Sequence, residues 1–127
     1  MAHILVVDDD KDLSDLARLV LELGKHTVTT VSDPEQAVEE ALRSKPDLVL
    51  LDVVMPRMDG FDVYRAFKAN AQLEALPIAF LTSNNRQVDR MVGLHVMKAD
   101  DYITKPFGKQ ELLDRVGALL KKHAVAP

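Results

Sequence analysis

Three short runs of the chain are apolar almost throughout: His3-Ile4-Leu5-Val6-Val7, Asp47-Leu48-Val49-Leu50-Leu51 and Pro77-Ile78-Ala79-Phe80-Leu81. None alternates with polar residues. Continuous apolar runs of this length suit strands covered on both faces of a parallel sheet. Two weaker runs, Thr27 to Val31 and Asp101 to Thr104, carry more polar positions and are expected nearer an edge.

Between the runs the period changes from two to about 3.6. Leu13, Leu16, Ala17, Val20 and Leu21 recur at three and four spacings, with Gly24 as the expected stop. Asp33-Pro34-Glu35-Gln36 predicts a helix start, with a capping Asp, Pro in the first helical position and Gln in the third. Ala37, Val38, Ala41 and Leu42 form that helix's apolar face. A third helix is expected over 61–70 and a fourth over 85–97. Leu112, Leu113, Val116, Leu119 and Leu120 stripe a fifth, which ends in Lys121-Lys122-His123, cations suited to the negative end of the helix dipole.

The order is therefore five βα units joined by short links. Such alternation predicts an α/β fold, a doubly wound five-stranded parallel sheet with helices on both faces. No linker, repeat or second domain interrupts it. Composition narrows the function classes. The chain has 127 residues, a net charge of −4 and no cysteine, so thiolate metal sites and disulfides are excluded and a basic nucleic-acid face is not expected. No apolar run approaches the roughly 20 residues that span a bilayer. The strand pattern begins after two residues, which leaves no room for a signal peptide, so a cytoplasmic protein is expected.

In open α/β sheets ligands bind outside the carboxyl ends of the strands. The residues at those ends are Asp8 and Asp9 after the first strand, Asp52 after the third, Thr82 and Ser83 after the fourth, and Lys105 with Pro106 after the fifth. Any one acid there reads as a helix cap, and Asp10 is assigned that role. Three carboxylates from two central strands are different. Their repulsion is on the order of several kcal/mol even at an effective dielectric near 20. One lysine does not offset three acids, so a divalent cation is expected. Oxygen ligands without His or Cys point to Mg²⁺, with Mn²⁺ as a substitute. Magnesium held by few protein oxygens takes a phosphate oxygen, yet both Gly-rich phosphate motifs are absent. What remains is a carboxylate available to attack phosphorus and form an acyl phosphate.

The motifs ILVVDDD, LLDVVMPRMDG, FLTS and ADDYITKPF, in this order and spacing, resemble the receiver domain of two-component response regulators. The resemblance covers essentially the whole chain, with the domain over residues 1–124 and 125–127 as tail. It implies a flavodoxin-like sheet of strand order 2-1-3-4-5 with five helices, like that of chemotaxis-type single-domain regulators. It implies Asp52 as phosphoacceptor, Asp9 and Asp52 as direct metal ligands, Asp8 acting largely through metal-bound water, and the Val54 backbone carbonyl completing the set. Lys105 is implied to salt-bridge the phosphoryl group, with a cis peptide bond before Pro106. Thr82 resembles the switch hydroxyl and Tyr102 the aromatic that changes rotamer with it. The implied donor is a histidine kinase or phosphotransfer protein. The implied output is an unidentified protein meeting the fourth helix, fifth strand and fifth helix, on a monomer or a phosphorylation-dependent dimer that touches neither nucleic acid nor membrane directly.

The chain is expected to catalyse only its own phosphorylation and dephosphorylation, as a single-domain regulator or as the receiver of a longer one. A phosphatase working through an aspartyl phosphate is the competing class, but the DxDx[TV] signature and a cap domain are absent. A phosphate-independent pseudo-receiver would ordinarily have lost Asp52, Lys105 or the acidic pair. The chain departs from the pattern of the family it resembles at Lys98 and Arg57, and two further positions bear on dephosphorylation. Lys98 precedes Ala99 where Gly is common, Arg57 replaces a frequent acid, and Val54 and Asn84 occupy positions that tune dephosphorylation. An apolar Val54 predicts a long-lived phosphoform. Pro56 and Gly60 read as turn residues, Asp59, Asp100 and Asp101 as loop caps or solvated acids, and the four histidines show no ligand spacing.

Overall fold

A computed structural model describes residues 2–53, 55, 58–82 and 99–123, Thr82 by its backbone alone. Strands β1 (His3–Val7), β2 (Thr27–Val31), β3 (Leu48–Asp52), β4 (Ile78–Thr82) and β5 (Asp101–Thr104) form one parallel sheet in the order β2-β1-β3-β4-β5. The two polar strands are the edges, as their composition predicts. Helices α1 (Lys11–Leu23), α2 (Ala37–Ser44), α3 (Gly60–Lys68) and α4 (Lys109–Lys122) complete the described elements. The helix expected over 85–97 lies outside the described residues.

The unbroken apolar runs follow from covering both faces of the sheet. Ile4, Val6, Leu48, Leu50, Ala79, Leu81 and Ile103 pack beneath α1 and α4, against Ala17, Leu21, Leu112 and Val116. Their neighbours Leu5, Val7, Val49, Leu51, Phe80 and Tyr102 face the other way, toward Ala37 and Ala41 of α2 and Val63 and Phe67 of α3. Successive strand residues point to opposite faces, so a strand buried on both sides has no polar position to spare.

Local chemistry shifts two boundaries and keeps a third. The third strand starts at Leu48, and Asp47 before it grips β1 twice, its N–H donating to the His3 carbonyl at 2.7 Å and its carboxylate accepting the His3 N–H at 2.8 Å. Asp33 caps a 3₁₀ turn at Pro34–Gln36, accepting from the Glu35 N–H at 3.0 Å, and the α-helix begins only at Ala37. Gly24 does end α1, but with φ −83°; the left-handed residue is Lys25, with φ 72°. A Cβ at 24 would lie 2.6 Å from a terminal methyl of Leu113 in α4, a contact that a shift of the leucine side chain relieves.

The exposed Lys25 therefore holds a backbone conformation that penalises a Cβ by about 1–2 kcal/mol, a cost only partly matched by glycine's greater chain entropy. Lys25→Gly should raise the unfolding free energy in urea by about 0.5–1 kcal/mol. An unchanged or lowered midpoint would contradict this account of the α1–β2 link.

Candidate functional site

Asp8 leaves the end of β1 with its N–H donated to the Val31 carbonyl at 3.0 Å, so β2 fixes its backbone. Its side chain is 1% exposed. One carboxylate oxygen accepts from the Asp10 N–H at 2.9 Å and the other from Lys105 Nζ at 2.7 Å. Asp9 is exposed, and Asp10 turns away to cap α1, accepting from the Asp12 and Leu13 N–H groups at 3.1 and 3.3 Å. The run of adjacent acids thus divides within a few residues into a buried ion-paired acid, an exposed acid and a helix cap.

Asp52 ends β3 and is 5% exposed. Lys105, 7% exposed, follows β5 and brings Nζ to 3.4 Å from Asp52 Oδ1 while it is bonded to Asp8. The Lys105–Pro106 peptide bond is cis. Carboxylate oxygens of Asp8, Asp9 and Asp52 all lie within 4.8 Å of one another, the metal-compatible cluster found among the described residues. No described histidine joins it. Burial, and secondarily the negative charge of Asp8, push the Asp52 carboxyl up to about 7, against the opposing pull of Lys105. A buried acid destabilised in its charged form by a second acid is a group short of positive charge.

A bound cation would supply the missing positive charge. Two buried carboxylates and one exposed one, all oxygen donors, face each other with a single amine between two of them. The donor set suits a hard divalent ion.

The remaining expected site residues fall in different places. Tyr102 is 1% exposed, its ring buried against Phe80 with centroids 6.3 Å apart. Thr82 ends β4 opposite Thr104, and its side chain lies outside the described residues. Val54, Arg57, Asn84 and Lys98 lie outside them too. Asp59 is the cap of α3, in a reciprocal capping box with Asp62. Asp100 and Asp101 do more than solvate a loop. Asp100 lies 3.1 Å from His123 Nε2 and accepts from the Ile78 N–H at 2.9 Å, while Asp101 pairs with Arg115 at 2.7 Å. The pairing of Lys105 with Asp8 escaped the sequence reading, because the two are 97 positions apart and lack a local pattern.

The family model described as the response regulator receiver domain matches residues 4–117. The alkaline phosphatase synthesis transcriptional regulatory protein PhoP of Bacillus subtilis (strain 168) is 39% identical over 123 residues, which are 97% of this chain and 50% of that protein. The chain therefore spans about half the length of that curated relative. Among solved structures, the chemotaxis protein CheY4 of Vibrio cholerae is similar with a TM-score of 0.87 at 28% identity, covering 94% of this chain and 99% of that one. The BeF3-activated N-terminal receiver domain of Klebsiella pneumoniae RstA gives a TM-score of 0.85 at 33% identity, covering 94% and 98%.

The raised Asp52 carboxyl makes metal-free stability depend on pH. The folded chain holds this proton more tightly than the unfolded chain, so folding takes up a proton between pH 3.8 and about 7. The stabilisation is fully present at the acid end of that window and is lost as pH rises through it. With a chelator present, wild type should lose roughly 1–3 kcal/mol more than Asp52→Asn between pH 5 and pH 8, from about 1.4 kcal/mol per unit of displacement discounted for residual solvent. Parallel denaturation curves for the two proteins across that range would contradict the charge balance described.

Proposed function

This chain belongs to the response regulator receiver domain family, and we propose that Asp52 accepts the phosphoryl group that drives its phosphorylation-activated switch. The observation that carries this reading is the convergence of Asp8, Asp9 and Asp52 on one sheet edge with Lys105 within 3.4 Å of Asp52. Phosphoryl transfer asks a protein for positioning and for neutralisation of charge more than for covalent help. In the forward step an Asp52 carboxylate oxygen bonds to phosphorus as the phosphorus–nitrogen bond of a phosphohistidine breaks. The released imidazole takes a proton from solvent. The donor is a histidine kinase or a histidine phosphotransfer protein, and the product is an acyl phosphate.

Asp8, Asp9 and Asp52 would hold Mg²⁺, or Mn²⁺ in its place, and the resemblance adds the Val54 carbonyl. When bound, such an ion neutralises the facing carboxylates and the phosphoryl oxygens. The chain's own groups do the rest. Lys105 would hold a phosphoryl oxygen, a role supported by its Nζ lying between Asp8 and Asp52. β3 ends at Asp52, which its pairing with Leu81 of β4 holds at the carboxyl edge of the sheet. The resemblance assigns Thr82 as the hydroxyl that turns to the new phosphate. Tyr102, packed on Phe80 in the same sheet, is the side chain whose burial would change with it. Phosphorylation adds nearly two negative charges and three acceptor oxygens, enough to shift a population between two packings.

The output is then a changed surface around β5 and α4, read by a protein partner or a second copy of the chain. The chain acts on its own aspartate and does not turn over a separate substrate. Among the described residues no helix is long and apolar enough to cross a membrane. A cytoplasmic location goes with this reading. A chain of this kind serves alone or as the receiver half of a longer regulator.

Incubation with Mg²⁺ and acetyl phosphate should add one phosphoryl group by intact mass, and Asp52→Asn should abolish it. An unmodified wild type, or an equal adduct on the variant, would overturn the assignment. Val54→Asn should shorten the lifetime of the phosphoform severalfold by admitting the attacking water. Equal decay rates by phosphate release would remove Val54 from that role.

A further inference from the structure

The start of α3 touches the backbone of the proposed phosphoacceptor. Gly60 is the first residue of α3, and its N–H donates to the Val53 carbonyl at 2.8 Å. A Cβ at position 60 would lie 2.2 Å from the Asp52 carbonyl oxygen, 2.8 Å from Val53 Cα and 3.0 Å from the Asp52 carbonyl carbon. All three are backbone atoms, which no rotamer change can move aside. Among the described glycines none has a positive φ, so backbone freedom is not why glycine stands here. What position 60 requires is the absence of a side chain.

Neither side of this contact can yield cheaply. Val53 is held twice, its N–H donating to the Leu81 carbonyl at 3.1 Å and its carbonyl accepting from Gly60. The helix start is locked by the reciprocal capping of Asp59 and Asp62, with the Asp62 N–H bonded to Asp59 Oδ1 at 2.9 Å. Asp52 pairs in register with Leu81 of β4, and its side chain sits 3.4 Å from Lys105. A methyl group on residue 60 would have to displace the Asp52–Val53 backbone, the helix start, or both, by about 1 Å to reach ordinary contact. A reacting group misplaced by about 1 Å can lose on the order of 100-fold in rate.

We infer that Gly60 is a positioning residue for Asp52: by lacking a side chain it lets α3 seat directly on the Asp52–Val53 backbone and so sets where the carboxylate meets Lys105 and Asp8. This rests on the reading of Asp52 as phosphoacceptor and adds to it a residue that touches no substrate. Glycine at 60 thus acts on the reaction through the main chain of the residue that reacts.

The test compares full-length Gly60→Ala with Asp62→Ala, which weakens the same helix start without adding atoms, and with Gly117→Ala, where a Cβ meets nothing within 4 Å. Phosphorylation is followed by intact mass at saturating Mg²⁺ and acetyl phosphate, well below each melting temperature. Gly60→Ala should be folded by circular dichroism, should still be modified on Asp52, and should react about 10- to 100-fold more slowly at saturation. Both controls should stay within about twofold of wild type, whatever their melting temperatures, as expected of changes that leave the reacting groups in place. A wild-type rate in Gly60→Ala, an equal slowing in Asp62→Ala, or a Gly60→Ala chain that does not fold would each overturn the positioning role. An unmodified wild type would instead sink the phosphoacceptor reading itself, and the inference with it.

Discussion

Two carboxylates buried within reach of one amine are the constraint on which the working part of this molecule depends. Asp8 and Asp52 sit at the ends of adjacent strands and are nearly inaccessible to water, with Lys105 bonded to one and close to the other. Removing one partner of a buried ion pair typically costs 3–5 kcal/mol, roughly a third or more of a small domain's stability. Such an arrangement is poor economy for a fold and good preparation for a ligand that brings positive charge and phosphoryl oxygens.

The rest of the fold keeps these groups where they are. A parallel sheet with helices on both faces leaves its carboxyl edge free, and the order β2-β1-β3-β4-β5 places β1 and β3 side by side. Asp8 is fixed by β2, Asp52 by β4, and Lys105 arrives from β5 at the far edge. Each acid is therefore oriented by a strand other than its own. The long reach of the lysine stem lets an edge strand supply the charge that the centre of the sheet lacks.

The second role of the scaffold is close approach. Gly60 lets α3 meet the Asp52 backbone, and no unusual torsion is involved. Among the described residues, the non-glycine positions with a left-handed backbone are Lys25 and Lys45, lysines that follow helix ends. Helix ends offset that strain with hydrogen bonds to the last carbonyls, as the Lys45 N–H does to Ala41 and the Lys25 N–H to Glu22. At the sheet edge the Asp52–Val53 backbone has no such freedom, held by Leu81 on one side and by Gly60 on the other.

The amino-acid sequence by itself determined the elements, their order and the edge at which chemistry collects. Continuous apolar runs mark strands buried on both sides, 3.6-residue stripes mark helices, and polar residues just after strands can only gather at one end of a parallel sheet. It also separated Asp10 from Asp8 and Asp9, since a helix start needs one cap and no more. Only the tertiary structure decided which groups touch. The bond of Lys105 to Asp8 joins residues 97 positions apart, and the pairing of Asp100 with His123 and Asp101 with Arg115 likewise crosses elements. The reason a glycine stands at position 60 was hidden for the same cause. Local pattern reports a residue's own torsions and periodicity, whereas a 2.2 Å approach to another residue's carbonyl exists only once helix and strand have packed.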